Sequence, residues 1–397
     1  MRHSGRTNKK ICLVVHEFPP NCWGGLARTA ERVSGYAARF GLEVHVAHFL
    51  LEERPPVLFD ENYSRVALDN RVLHQIVIGR ENLTDGPRLL WDCPHNMTLR
   101  QMYQSLELLH REEHFDLFHS FFLYPVAYIT GLLARRMSIP SVATLVGDDV
   151  KRYIFSPEKT AVCRSGLENA DRIVALSREL VEMADALSPV ADKSRVIYNS
   201  VEIPSEAWQP QSRRNGPRVI GSAGIFKYAK GLPYLIKAAA ELRKSMNLVL
   251  ELPGHLRESE REGVAAMVRR TGMEDCIHFR EPLAHKDIPA WLRTLDVFVL
   301  PSVSEGCPNI LMEAMASGVP CVATRTGANE ELMQDRVSGL LTSWGNSEAL
   351  ARAMGEILGD RGFAVELGAA AMARMRDFSI EREKTAWEKV YGELIGL

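Results

Sequence analysis

The sequence predicts an α/β protein made of two doubly wound, Rossmann-like domains facing each other across a cleft. Three observations carry this. Short apolar, β-branched runs alternate with amphipathic helical stretches along nearly the whole chain, the pattern of parallel strands joined by crossover helices. The alternation pauses once, at 202–217, where Pro204, Pro210 and Pro217 stand among polar residues and read as a linker. The length of 397 residues exceeds one ordinary core and suits two.

The elements follow in order. Residues 11–15 read Ile-Cys-Leu-Val-Val, a continuous apolar run suited to a strand buried on both faces. Further strands are expected at 44–48, 72–78, 116–119, 142–146, 172–176 and 195–198, with helical patterns at 26–40, 99–113, 126–136 and 178–187. The stretch 51–100 is poorly patterned, and long loops of this kind are often functional. After the linker the rhythm restarts. Strands are expected at 219–222, 248–252, 277–279 and 296–300, with helices at 232–244, 258–270 and 287–293. A last helix, 380–394, carries Trp387, Val390, Tyr391 and Leu394 as one apolar stripe that must pack on something. The expected domains are therefore 1–203 and 218–379, joined by 204–217 and followed by the helix 380–397.

Composition narrows the function. The 48 basic and 50 acidic residues nearly cancel, so the chain lacks the basic excess of a nucleic-acid binder. Cys12, Cys22, Cys93, Cys163, Cys276, Cys307 and Cys321 are scattered without a C-x-x-C, which suggests thiols in a reducing compartment. Apolar runs are all shorter than the roughly 18 residues of a membrane span. The basic start (Arg2, Arg6, Lys9, Lys10) is followed by too short an apolar stretch for a signal peptide. A cytoplasmic protein is expected, with peripheral contact to an anionic inner membrane face open to the basic tip.

The chemistry is concentrated between Pro301 and Glu331. The strand 297–300 ends at Pro301-Ser302, and the chain turns at Glu305-Gly306. Pro308 fits the first position of a helix that should stop at Gly318, a suitable left-handed terminator. Free N–H groups near Asn309, Ile310 and Leu311 would then form a cradle for a diphosphate. Glu305 and Glu313 frame it, and carboxylates accept hydrogen bonds from vicinal hydroxyls. The pair therefore suits a ligand with a sugar on one side of a phosphate and a ribose on the other. Taken singly, Glu313 would be a solvated helix glutamate and Glu305 a loop charge favouring the helix dipole.

With its seven intervening residues, this string resembles the E-x7-E signature of family 4 of the GT-B glycosyltransferases. The resemblance extends along the chain. Residues 223–232, ending in Lys230-Gly231-Leu232, look like the loop that opens the family's second domain. Gly327 to Leu332 are similar to its Gly-Gly-x-x-Glu segment, and Gly24-Gly25 to its N-terminal glycine loop. Gly147-Asp148-Asp149-Val150 and Tyr198-Asn199-Ser200-Val201 resemble two further landmarks, and the helix with Trp387 and Tyr391 the one that returns to the first domain.

The resemblance implies a retaining transfer of a hexose-type sugar from a nucleotide-sugar to an acceptor hydroxyl. The acceptor would be a glycan, glycolipid or small molecule. Glu305 would face the donor sugar, Glu313 the ribose, Lys230 the leaving diphosphate, and the amides of Asn309, Ile310 and Leu311 phosphate or sugar. Gly24 and Gly25 would present amides from the first domain. Val146 and Ile225 depart from the family, which often has His and Arg there. Lys227 is the candidate substitute for the missing cation, and Asp148 or Asp149 for the missing sugar contact. His16, closing the first strand beside the glycine loop, joins them as an acceptor-side candidate; His95 and His119 read as structural. Without H-E-x-x-H, Asp-x-Asp at a strand end or a Cys/His cluster, no metal and no cofactor beyond the co-substrate is expected. A nucleotide-sugar epimerase and a non-catalytic nucleotide-sugar binder are the alternatives.

Overall fold

Two units make up the chain in a computed structural model that describes residues 8–21, 24–52, 63–79, 94–210 and 216–397. The first comprises Met1–Ile197 and Lys384–Leu397, the second Tyr198–Glu383.

The first unit is built on β1 (Lys10–Val15), β2 (Glu43–Glu52), β3 (Tyr63–Leu68), β4 (Arg71–Gly79), β5 (Leu117–Phe121), β6 (Ser141–Leu145), β7 (Arg172–Ala175) and β8 (Ser194–Val196). Their order across the sheet is β3-β4-β2-β1-β5-β6-β7-β8. Central β1 lies parallel to both neighbours, with Cys12 opposite His45 on β2 and Phe118 on β5. Its apolar residues are fully buried, as the unbroken run requires. On one face, Val14, Phe49, Ile76 and Phe118 pack with Met102 and Leu106 of the helix Pro94–Glu113 and Ile129 and Leu133 of the helix Tyr128–Met137.

One edge corrects the expectation of a parallel sheet. The poorly patterned stretch 51–100 contains β3, which runs antiparallel to β4 through a tight turn at Asp69, where φ is 52°. β3 was illegible because an edge strand is half solvated and needs little apolar alternation; the side chains of its four central residues are exposed.

The last helix spans Ile380–Ile395, and its residues from Lys384 belong to the first unit. Trp387, Val390 and Tyr391 of the stripe are buried, while Leu394 is half-buried. The Tyr391 hydroxyl lies 2.8 Å from His119 Nδ1, and His119 Nε2 lies 2.7 Å from Thr144 Oγ1. Complete burial pushes the His119 imidazole down to about 3, so it is a neutral packing and hydrogen-bonding group.

The second unit carries β9 (Arg218–Gly221), β10 (Gly224–Phe226), β11 (Leu248–Leu256), β12 (Ile277–Arg280), β13 (Val297–Leu300), β14 (Cys321–Thr324) and β15 (Leu340–Thr342). The order is β10-β11-β9-β13-β14-β15, with β12 also paired to β11, and all these pairs are parallel. The strand order reverses between β9 and β13. In such sheets ligands bind beyond the carboxyl ends of the strands at the reversal, which points to the loops after β9 and β13. The described part of the proline-bearing stretch 202–217 has neither helix nor strand. It is nevertheless pinned: buried Trp208 donates its amide to Ser317 O (2.8 Å) and its indole N–H to Leu295 O (2.7 Å).

Cys12, Cys163, Cys276, Cys307 and Cys321 are free, buried thiols; Cys22 and Cys93 lie outside the described residues. Among the described residues no helix is long and apolar enough to cross a membrane.

Candidate active site

The two loops at the reversal of the second sheet meet. After β13, Pro301 and Ser302 are buried, and the chain turns back through Glu305. After β9 and β10, the turn Tyr228–Lys230 brings Lys230 against that loop. Val303 N donates to Ala229 O at 2.8 Å, stapling one loop to the other. Lys230 Nζ and Ser302 Oγ both donate to Glu305 Oε1, each at 2.6 Å. Glu305 is only 9% exposed, so this anion depends on those two donors. Both bonds converge on one oxygen, and among the described residues no protein group hydrogen-bonds the other, Oε2.

Gly231 makes the approach possible. It sits at φ 64°, and a Cβ there would lie 1.9 Å from the Pro301 carbonyl oxygen. Gly231→Ala is therefore expected to separate Lys230 from Glu305. It adds about 1–2 kcal/mol of left-handed backbone strain to the clash. Thermal unfolding together with nucleotide titration checks this; full donor binding at unchanged Tm would refute the tight-approach argument.

The helix Asn309–Ala316 begins one residue later than expected, with Pro308 as its cap residue at ψ 108° rather than its first turn. Gly318 takes φ 78° one residue beyond the Ser317 cap, as a terminating glycine should. The three expected free amides need one correction. Leu311 N donates to Pro308 O at 3.2 Å, because the first turn is tightened, which leaves the amides of Asn309 and Ile310 without a backbone partner among the described residues. Asn309 Oδ1 is buried there without a hydrogen-bond partner among the described residues.

Glu313, one turn on, accepts from His285 Nε2 at 3.1 Å. Because a carboxylate only accepts, His285 carries the proton on that nitrogen. Ser302 and His285 are absent from the sequence reading. The serine three positions before Glu305 was a readable signal for a turn bond; His285 lies 28 residues from Glu313 and gave none. Lys227 opens the Tyr228–Lys230 turn and is half-buried, while Ile225 is 49% exposed, so the departed position presents an apolar surface. Downstream, Ala328 N bonds Gly306 O (2.8 Å) and Tyr198 OH bonds Glu331 Oε2 (2.5 Å), tying the Gly327–Leu332 segment to the same unit.

In the first unit, Gly24 is the cap residue and Gly25 the first residue of the helix Gly25–Arg39, whose start has no side-chain cap. A Cβ on Gly24 would lie 3.2 Å from Glu17 Oε2. His16 packs edge-on against Phe122 (4.7 Å between ring centroids, 72°). Burial, then the neighbouring His48, pushes His16 down to about 4. The two aspartates part company. Asp148 is half-buried in the first turn of the helix Asp148–Lys151. Asp149 is fully buried, and its carboxylate accepts from the amides of Gly147 (2.8 Å), Val150 (3.1 Å), Val146 and Leu123 (both 3.2 Å). That corrects its reading as an acceptor-side group, because its oxygens hold the loop together and are shielded from any ligand. Burial raises its pKa to about 6 even against those four donors.

The fold also assembles a His-containing group that the sequence reading did not find. His45, His74 and Glu113 bring potential metal-ligand atoms within 4.8 Å of one another. β2, β4 and the helix Pro94–Glu113 supply one residue each, so no local spacing announced them. Their atoms are already engaged. His45 Nδ1 meets His74 Nε2 at 2.7 Å, Tyr63 OH meets His74 Nδ1 at 2.6 Å, and the Lys10 ammonium lies 2.9 Å from Glu113. A buried ammonium at that distance opposes a cation, and the group reads as a satisfied hydrogen-bond chain.

Comparison with known proteins agrees with this geometry. Residues 23–203 match Glycosyltransferase Family 4, and residues 217–360 match Glycosyl transferases group 1. The chain is 26% identical over 319 residues to a D-inositol 3-phosphate glycosyltransferase of Streptomyces scabiei, covering 71% of this chain and 69% of that one. Its fold is similar to that of a sucrose-phosphate synthase from Thermosynechococcus elongatus, with a TM-score of 0.77, 21% identity and coverage of 98% and 99%. It is also similar to that of Anabaena HepE in complex with UDP-glucose, with a TM-score of 0.75, 18% identity and coverage of 97% and 100%. With a glutamate on either side of a bare helix start and two Rossmann-like units, the chain belongs to the family 4 glycosyltransferases of the GT-B fold.

Proposed function

We propose that the protein transfers a hexose-type sugar, with retention, from a nucleotide-sugar to an acceptor hydroxyl in glycan, polysaccharide or glycolipid synthesis. The observation that carries this reading is the convergence of Lys230 and Ser302 on Glu305 Oε1, beside the open start of the helix Asn309–Ala316. Glu305 Oε2 is then the oxygen offered to the donor sugar's hydroxyls. Lys230 lies where negative charge builds as the sugar–phosphate bond breaks, and a charge preorganised there acts most strongly in the transition state. The amides of Asn309 and Ile310 receive phosphate oxygens. In this scheme the leaving diphosphate takes the acceptor's proton, so no separate protein base is needed. The ammonium and the amides supply the positive potential that a divalent ion would otherwise provide, and chelator is expected to leave the rate unchanged.

The similarly folded Anabaena HepE, solved in complex with UDP-glucose, favours a UDP-hexose donor. Thermal-shift titration with UDP-, GDP-, ADP- and CMP-sugars tests this, because a ligand specific to the folded state raises apparent stability. Glu313→Ala should weaken donor binding about tenfold, roughly 1.4 kcal/mol, for loss of the ribose contact. An unaltered dissociation constant would remove Glu313 from the donor site. The anomer first formed, read by NMR, decides retention. The basic residues Arg2 and Arg6, on which a peripheral membrane contact would depend, lie outside the described residues.

A further inference from the structure

The helix Asn309–Ala316 sets a distance. At its start stand the amides of Asn309 and Ile310, which have no backbone partner among the described residues. Glu313 follows one turn later, roughly 6 Å along the axis from Asn309. A ribose joined to a phosphate by a single ester bridge fits that interval, with its vicinal hydroxyls toward the carboxylate.

Glu313 is met there by a residue from another element. His285 opens the short turn His285–Asp287 after β12, and its Nε2–H donates to Glu313 Oε1 at 3.1 Å. The turn is itself held. It runs into the helix Ile288–Leu292, which packs beside the helix Asn309–Ala316. Trp291 of that short helix meets Phe298 of β13 edge-on, 6.4 Å between ring centroids and at 88°. The two partners differ in exposure: the side chain of His285 is 65% exposed, that of Glu313 only 13%.

That difference separates two roles. A pair with so open a member contributes little to stability. Its effect is on the carboxylate, because a charge-assisted hydrogen bond to one oxygen holds a flexible glutamate side chain in one orientation. Each carboxylate oxygen carries two lone pairs, so the oxygen that accepts from His285 can also accept from a hydroxyl. A carboxylate held still in this way is prepared for two hydroxyls at once. Where one is missing, a largely buried acceptor loses a partner, and sites built to bind a hydroxyl reject the analogue that lacks it.

We propose that His285 is a positioning residue that sets specificity within the donor nucleotide: by orienting Glu313 it selects ribose over 2′-deoxyribose. The inference rests on Glu313 as the ribose carboxylate and adds the residue that makes it discriminating. Sugars carried on deoxynucleoside diphosphates are thereby a poor donor class for this protein.

Calorimetric titration of the full chain with UDP, GDP and ADP and with their 2′-deoxy forms tests this. The preferred ribonucleotide should bind about tenfold or more tightly than its deoxy counterpart. His285→Ala should cut that ratio to about threefold or less by weakening the ribo form alone. His285→Gln, whose amide N–H can take the place of Nε2–H, should restore much of it. A merely structural role would instead weaken both forms alike and lower Tm. The proposal is overturned if the unaltered chain shows no preference, if His285→Ala keeps the ratio, or if it weakens the two forms equally. Glu313→Ala separates the inference from the reading beneath it. A ratio that collapses there but survives in His285→Ala strikes His285 alone, whereas one that survives both changes removes Glu313 from the ribose. Binding of none of the diphosphates refutes the donor site and this inference together.

Discussion

Glu305→Gln is expected to lower kcat/KM by about 10²–10³-fold, the usual cost of removing one preorganised electrostatic group from a transition state. The amide keeps the shape of the side chain but loses the charge that orients Lys230, which lies 2.6 Å away in a largely buried pair. Lys230→Ala should act at least as strongly on kcat, because it removes the charge nearest the leaving diphosphate in the proposed reaction. It also leaves a nearly buried carboxylate with Ser302 alone, and breaking such a pair costs about 3–5 kcal/mol in buried cases. The two residues form one network, so the double variant should lose far less than the sum of the single losses. Strict additivity in that cycle would mean that the pair does not act as a unit.

The second large effect is on stability, and it concerns the first unit. Burial holds His16 and His48 down to about 4, and His74 and His119 down to about 3. An unfolded histidine takes up its proton near pH 6.5, whereas these four stay neutral in the folded unit until the medium is far more acid. Their contribution is thus complete above about pH 6.5 and is lost as pH falls toward 4 and then 3. Asp149 opposes this. Its raised value of about 6 means that the folded carboxyl is protonated first, which returns some stability between about pH 6 and 4. Four histidines outweigh one aspartate. A net loss of stability, read as a clear fall in Tm, is expected between pH 7 and pH 5. Thermal unfolding followed at the two pH values decides it, and an equal or higher Tm at pH 5 would contradict the buried neutral state. His119→Phe should flatten part of the pH dependence.

What the sequence disclosed depended on whether a feature is local. β1 and β13 were legible because a central parallel strand writes itself as an unbroken apolar run. β3 was not, because an exposed edge strand needs no such run. Glu305, Glu313 and Lys230 could each be named from the motifs around them. The bond between Lys230 and Glu305 spans 75 positions, however, and became visible only when the loops after β9 and β13 met. His45, His74 and Glu113 illustrate the same limit, since three separate elements bring them together. Asp148 and Asp149 show a finer one. Two identical side chains stand side by side, and only the direction of a four-residue helix turns the second inward to the amides of Leu123, Val146, Gly147 and Val150.

That inward carboxylate bears on how the enzyme could be redesigned. A library aimed at new acceptors would naturally randomise the whole Gly147–Val150 loop, and most of its members would then fail for a reason unrelated to specificity. Position 149 binds the ends of β5 and β6 to one another, so substitution there releases backbone that the neighbouring positions need in order to present anything at all. Keeping Asp149 fixed while varying Asp148 confines the search to a half-buried side chain that is not tied to the amides of Leu123, Val146, Gly147 and Val150.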